Sequence, residues 1–239
     1  MKKIISIKRI KTFVFVIIMG NLFCLEPIFS QRIFSKQNIR DKKMFSKDKY
    51  FELRKQMVEQ QLKGRNIVDE KVLETMMKVE RHRFVLEKYL KNAYDDTPLP
   101  IGFGQTISQP STVAIMFELL DPQRGQNILD VGSGSGWTTT LLSYIVGRKG
   151  KVTALERIPE LCEFGRSNAE KFAYVSREIA EFYRADGSQG YQKNSPYDRI
   201  LVSAVVDEIP RALKEQLKIG GKMVIPVYND IWYLEKRGE

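Results

Sequence analysis

The chain has 239 residues, 43% hydrophobic and 28% charged, with two cysteines and one histidine. That is enough apolar material for one sizeable core, and too few thiol and imidazole groups for a disulfide framework or a zinc set. The formal charge of +10 argues for nucleic acid only if it is spread over the folded part, and it is not: residues 1–50 hold 12 Lys/Arg against 3 Asp/Glu, and the rest of the chain holds 27 against 26.

The basic excess belongs to an N-terminal segment laid out like a targeting signal. Lys2, Lys3, Lys8, Arg9 and Lys11 precede an apolar run from Phe13 to Leu25, broken by Gly20 and Asn21. The run is short for a membrane span and right for a signal-peptide core, with Ser30 a small residue before a cut. Residues 1–30 are therefore read as a signal-like or anchor segment, and residues 31–47, basic and without periodicity, as a linker. A cleaved signal, an uncleaved anchor and a translation start displaced to Met44 or Met57 all stay open.

The domain proper is read as residues 48–239: a helical prelude (48–95), a loop (96–110) and an α/β core (111–239). Phe51, Leu53, Met57, Val58 and Leu62 recur at helical spacing, which predicts an amphipathic helix ending at Gly64. Asp69 is placed to cap a second helix with Val72, Leu73, Met76 and Met77 on its buried face. Phe84 to Tyr94 reads as a third, shorter unit. His82, between Arg81 and Arg83, has no nearby Cys or His and is expected at the surface or an interface. The stretch from Asp95 to Pro110 is too rich in Pro and Gly for helix and long for a plain connector, which is the habit of functional loops. Pro110 opens the helix Ser111 to Leu120, so Ser108 lies just before a helix N-terminus, where a carboxylate is favoured. From the chain alone, the plainer role for Ser108 is that of a helix cap.

Asn127 to Val131 reads as a short apolar strand that runs into Gly132-Ser133-Gly134-Ser135-Gly136 and then a helix from Trp137 carrying Leu141, Leu142, Tyr144 and Ile145. A glycine-rich turn lets the backbone bend sharply and lets a ligand approach it closely. The spacing lacks the third glycine position of the dinucleotide fingerprint, so a pyrophosphate cradle is not indicated, and alone the motif serves equally as a structural turn. A second strand, Lys151 to Glu156, ends in an acid, and a third stretch ends at Ala185-Asp186-Gly187. Asp130, Glu156 and Asp186 thus converge on one sheet rim, where carboxylates add nothing to burial. They suit a cationic nucleoside with a ribose diol, S-adenosylmethionine, better than NAD with its two phosphates. Cys162 falls in a helical stretch as a packing residue. Tyr197 to Ala204 reads as a fourth strand, Pro210 to Lys218 as a helix stopped by Gly220-Gly221, and Lys222 to Val227 and Ile231 to Glu235 as two further strands. The β-α alternation predicts a doubly wound, Rossmann-like α/β fold with a helical cap.

These residues resemble the protein-L-isoaspartate (D-aspartate) O-methyltransferase family. The matching text includes Met57 to Leu62, Arg81-His82-Arg83-Phe84-Val85, Pro98 to Gly102, Gln105-Thr106-Ile107-Ser108-Gln109-Pro110, Leu129 to Gly136, Glu156 to Leu161, Asp186-Gly187 and Gln216 to Val227. The Thr-Ile-Ser-Gln-Pro block is specific to the family, whereas the glycine loop is shared with most adenosylmethionine-dependent methyltransferases. The resemblance implies methyl transfer from S-adenosylmethionine to the free carboxylate of L-isoaspartyl residues in damaged proteins. It makes Ser108 the active-site serine and places Thr106, Ile107 and Gln109 at the substrate. Asp130, Gly132, Ser133, Gly134, Gly136, Glu156, Arg157, Asp186 and Gly187 fall at the cofactor. An aspartyl carboxylate has a pKa of about 3.9 and is already ionised at neutral pH, so no strong base and no metal are called for. The expected partners are isoaspartyl proteins and peptides, with no nucleic acid, any membrane contact confined to residues 1–30, and a monomeric state. Family resemblance and donor supply imply the cytoplasm. Three departures stand out: the apolar leader, Tyr228 where the family generally has glycine, and an end at Glu239 that implies an incomplete last sheet edge. The rival readings are a methyltransferase for another substrate class and a membrane-tethered, non-catalytic relative.

Overall fold

The computed structural model describes residues 5–10 and 47–238. The elements in chain order are β1 (Ile5–Ile10), α1 (Lys47–Gln56), α2 (Glu70–Lys78), β2 (Leu99–Gly102), β3 (Gln105–Ile107), α3 (Pro110–Leu120), β4 (Asn127–Val131), α4 (Trp137–Val146), β5 (Lys151–Glu156), α5 (Pro159–Glu170), β6 (Ala180–Arg184), β7 (Tyr197–Val202), α6 (Arg211–Gln216), β8 (Leu217–Val227) and β9 (Asp230–Lys236). Seven strands form one sheet in the order β1-β9-β8-β7-β4-β5-β6, and β2 and β3 form a separate hairpin. The run from β6 to β8 is parallel, with β9 antiparallel to β8 and β1 antiparallel to β9. This is the expected doubly wound sheet. The chain order reverses between β4 and β7, which opens a crevice at their carboxyl ends.

The central strands are near-continuous apolar runs because both faces are covered. Ile128, Leu129, Val152, Ala154, Leu155, Ile200, Met223 and Val224 are buried. The helical prelude joins the same core through Met57, Leu62, Ile67, Val72 and Met76, so it is a cap on the sheet and not a separate domain. Asp69 caps α2 as expected, its side chain accepting from the Lys71 and Val72 amides.

Several boundaries differ from the sequence reading. The first helix turns wider over Met57–Leu62, and its inward side takes Arg54, 8% exposed, while Phe51 is left 46% exposed. Arg54 is drawn in because it donates to the Tyr94 hydroxyl and pairs with Glu80. Phe84 to Tyr94 is not one helix but two short 3-10 segments, Arg81–Phe84 and Glu87–Asn92. The strand expected from Lys222 begins at Leu217 instead, and Gly220-Gly221 lie within it. They still interrupt the pairing: Tyr197 opposes Leu217 and Arg199 opposes Lys222, so the residues between them bulge out, with Gly220 at φ +78°.

Of the N-terminal reading, only Ile5–Ile10 lies within the described residues, where its backbone pairs with β9 from Ile5 opposite Lys236 to Ile10 opposite Ile231. The outer edge of β9, expected to be open, is therefore paired. The apolar run from Phe13 and the linker lie outside the described residues. Among the described residues no helix is long and apolar enough to cross a membrane, and no group of His, Cys, Asp or Glu could hold a metal ion.

Candidate active site

The glycine loop follows β4 and adopts the backbone that its composition demands. Gly132, Gly134 and Gly136 have φ of +78°, +50° and +78°, a region that penalises any Cβ. Two amides of the loop, Gly132 and Ser133, bond to the Leu155 carbonyl at 2.9 and 3.0 Å, which fastens the turn to the end of β5. A Cβ on Gly136 would stand 2.5 Å from the Gly165 carbonyl oxygen, so α5 can approach only because both positions are glycine.

The acids from three adjacent strands lie along this edge, but only Asp186 is exposed, and each accepts hydrogen bonds from the protein itself. Asp130 is fully buried, and its Oδ2 accepts from the Thr138 and Thr139 hydroxyls at 2.8 and 2.6 Å. Its Oδ1 has no partner among the described residues. Burial raises the Asp130 pKa to about 6, against the hydroxyl bonds that lower it. Glu156 is 7% exposed; one oxygen accepts the Gly134 amide at 3.0 Å and the other the Ile158 amide at 3.0 Å. A carboxylate oxygen has lone pairs to spare after one such bond, so Glu156 can brace the loop and still accept from a diol. Asp186 is exposed, accepts the Ser188 amide at 3.0 Å, and is held below the usual carboxylate range by that bond, with nearby Arg157 adding to the effect. Arg157 is exposed as well, and a Cβ on Gly187 would collide with Val131 at 2.2 Å, so Gly187 lies against the end of β4.

These features test the fit of a nucleoside cofactor. Asp130 Oδ1 and the loop's own Ser133 Oγ are buried without a partner among the described residues, beside three glycines that bring no side chain, and this leaves polar atoms and exposed main chain for a ligand's polar groups. The donor set fits S-adenosylmethionine: acceptors for an ammonium and hydroxyls, and no cationic cradle for phosphates.

The hairpin β2–β3 lies over this loop. The Ile101 Cδ1 would be 3.3 Å from a Cβ on Gly134, which puts the Pro- and Gly-rich segment directly against the glycine turn. Thr106 is exposed at the end of the hairpin, Ile107 is buried at 3%, and Ser108 and Gln109 are half-buried. The Ile107 side chain belongs to the core, so a peptide could meet that residue only through its main chain. Gln109 donates to Asp96 and to the Ser111 hydroxyl. Asp96 also accepts the Ser111 amide at 2.8 Å and pairs with Arg65. The start of α3 is thus capped from Asp96, which relieves Ser108 of the capping role that the chain alone favoured. Its carbonyl is held instead by the Arg81 guanidinium at 3.0 Å.

His82, expected at the surface or an interface, is half-buried and packed between side chains. Its ring stacks on Tyr50 at 4.0 Å, its Nδ1 lies 2.8 Å from the Tyr94 hydroxyl, and burial lowers its pKa to about 4. It is neutral at pH 7 and takes part in packing. Cys162 is buried and its thiol pKa is raised by burial, in keeping with an inert residue.

Thr138, Thr139, Asp96 and Gly165 escaped the sequence reading. A lone glycine in the middle of a helical pattern marked Gly165 as a close approach. Asp96 had no local mark, because the helix that it caps begins beyond the hairpin.

Comparison with known proteins agrees with this geometry. Residues 52–237 match the family model described as Protein-L-isoaspartate(D-aspartate) O-methyltransferase. The protein-L-isoaspartate O-methyltransferase of Aeropyrum pernix is 49% identical over 180 residues, covering 75% of this chain and 68% of that protein. The Methanopyrus kandleri protein of the same name is 45% identical over 198 residues, covering 81% and 87%. A solved Plasmodium falciparum structure, described as a putative protein-L-isoaspartate O-methyltransferase in complex with S-adenosyl-L-homocysteine, superposes with a TM-score of 0.68 at 28% identity, covering 79% of this chain and 91% of that one. A parallel sheet with a glycine turn at its switch point, a hairpin laid over that turn, and a family match across nearly all of the folded chain lead to one conclusion: this chain belongs to the protein-L-isoaspartate (D-aspartate) O-methyltransferase family, enzymes that use S-adenosylmethionine.

Proposed function

We propose that this chain repairs damaged proteins by methylating the free carboxylate of L-isoaspartyl residues, with Ser108 at the substrate and the Gly132–Gly136 loop at the cofactor. The observation that carries the reading is the packing of Ile101 against Gly134, which brings the serine-bearing hairpin over the cofactor turn. When bound, S-adenosylmethionine supplies an electrophilic methyl group on a sulfonium.

The protein's part is alignment and exclusion of water. The Ser108 hydroxyl and nearby main-chain amides hold the substrate carboxylate by hydrogen bonds and leave it ionised. Thr106, Ile107 and Gln109 shape the peptide's seat, with Ile107 offering only its backbone. Asp130, through the oxygen left without a partner among the described residues, would hold the ammonium, Ser133 and the glycine amides the methionine end, Glu156 the ribose, and Asp186, Gly187 and Arg157 the adenine side. A neutral, packed His82 is consistent with a reaction that needs no base.

The substrate side is peptide and not nucleic acid, since residues 51–239 are nearly charge-balanced. We further propose the layout of a signal-like or anchor segment (1–30), a basic linker (31–47) and a methyltransferase domain (48–239) that acts as a monomer in the cytoplasm. The test is S-adenosylmethionine with a tritiated methyl group, offered an isoaspartyl peptide and its normal aspartyl counterpart. Label confined to the isoaspartyl peptide supports the assignment; equal label on both peptides, or none on either, overturns it.

A further inference from the structure

We propose that Arg81 is the positioning residue of the active site: its buried guanidinium locks the main chain of Ser108 to the helix that carries the cofactor turn. This rests on the assignment of Ser108 to the substrate.

Arg81 is fully buried. Its Nη2 donates to the Thr97 carbonyl at 3.2 Å and to the Ser108 carbonyl at 3.0 Å, and its Nη1 donates to the Ala93 carbonyl. Thr97 stands just before β2 and Ser108 just after β3, so one nitrogen ties together the two ends of the hairpin. The other face of the guanidinium lies 5.0 Å from the centre of the Trp137 ring. Trp137 is the first residue of α4, immediately after Gly136. One side chain therefore holds the substrate loop by hydrogen bonds to main-chain carbonyls and meets the first residue after the cofactor turn through a cation–π contact.

The arrangement is costly as mere structure. Among the described residues the guanidinium has no hydrogen bond to a carboxylate and its Nε is buried without a partner, while burial lowers its pKa to about 9, which still leaves it charged at pH 7. Three main-chain carbonyls hold the charge in the fork geometry that only arginine presents, and the compact ammonium of lysine cannot bridge them all. Removing the fork frees the Ser108 peptide unit, and misplacing a substrate-aligning group by about 1 Å is enough to cost on the order of a hundredfold in rate.

The experiment compares R81K, R81M and S108A in the full chain, measuring kcat and KM for an isoaspartyl peptide, S-adenosylhomocysteine affinity, and Tm. For R81K the expected result is a fall in kcat of about tenfold to a hundredfold, with S-adenosylhomocysteine affinity within about twofold and a folded, cooperative melt; R81M falls further. If R81K keeps wild-type kcat while S108A loses it, Arg81 does not position Ser108 and the serine assignment stands. Wild-type kcat in S108A overturns the serine assignment and the Arg81 proposal with it. Parallel loss of kcat, cofactor affinity and Tm in R81K, or failure of both Arg81 variants to fold, reduces Arg81 to a structural support and overturns the proposal.

Discussion

Gly136 and Gly165 meet backbone to backbone: a Cβ on the first would lie 2.5 Å from the carbonyl oxygen of the second, and a Cβ on Gly165 would lie 2.9 Å from the Gly134 oxygen and 3.1 Å from the Phe182 ring. Gly165 sits inside α5, where alanine ordinarily stabilises by about 1 kcal/mol. Here the sign reverses. Gly165→Ala should destabilise by about 1–3 kcal/mol through overpacking and weaken S-adenosylhomocysteine binding, because the pressure falls on the glycine turn. Thermal melts with and without ligand check both, and a higher Tm for the variant would show that the two segments are not packed this closely.

Ser108→Ala should lower kcat for an isoaspartyl peptide by about tenfold to a hundredfold, the loss of one hydrogen bond to a charged group. Cofactor affinity should stay nearly unchanged, since the serine lies on the hairpin and not on the turn. Titration of S-adenosylhomocysteine beside steady-state kinetics separates these effects; equal loss of both contradicts the division of roles.

Asp130 gives the site a pH dependence. Burial sets its folded pKa at about 6, above the ordinary aspartate value of about 3.9, so the folded protein holds an extra proton between these values. Folding stability from this group is therefore present at low pH and is lost as pH rises through about 6. Binding of an ammonium favours the ionised form. Affinity for S-adenosylhomocysteine should fall by about tenfold per pH unit below pH 6, as the ligand must displace that proton. Asp130→Asn should bind weakly and without this slope, and it should raise the ligand-free Tm at pH 7. Calorimetry from pH 5 to 8 checks it.

Tyr228 occupies the turn between β8 and β9 at φ +52° with 61% of its surface exposed. A non-glycine residue in the left-handed region costs about 1–2 kcal/mol, offset in part by the greater freedom of glycine in the unfolded chain. Tyr228→Gly should raise stability by about 0.5–1 kcal/mol in a denaturant titration. An unchanged or lower midpoint would mean that the tyrosine makes a compensating contact.

Pairing of β1 with β9 requires Ile5–Ile10 to be part of the folded protein. A cut after Ser30 would remove β1 and expose the polar edge of β9. Mass spectrometry of the mature protein should find residues 5–10 present, and deleting residues 2–10 should lower Tm and increase aggregation. A mature chain that starts beyond Ser30 and melts normally would remove any role for β1.

Much of this molecule could be read from local chemistry. The strands β4, β5 and β7 declared themselves as apolar runs, and the glycine turn by its spacing. Asp69 could be identified as a cap because the amides it serves are two and three residues away. The Thr-Ile-Ser-Gln-Pro block carried the resemblance to the family, and with it the role proposed for Ser108. Where the reading erred, the cause was distance. Nothing local marked Arg54 as buried, because its partners, Tyr94 and Glu80, belong to other segments. His82 was expected at the surface or an interface because nothing local foretold the stack on Tyr50.

What the amino-acid order determined by itself was the list of parts: strands, caps, a turn that only glycine can make, and three acids at strand ends. Each depends on interactions within a few residues. The tertiary structure decided how the parts are used: that Asp130 is buried and held by two threonines, that Asp96 and not Ser108 caps α3, and that Arg81 joins the hairpin to the cofactor helix. Those outcomes depend on burial and on hydrogen bonds between residues far apart in the chain. Desolvation and partner geometry exist only once the sheet has brought the segments together.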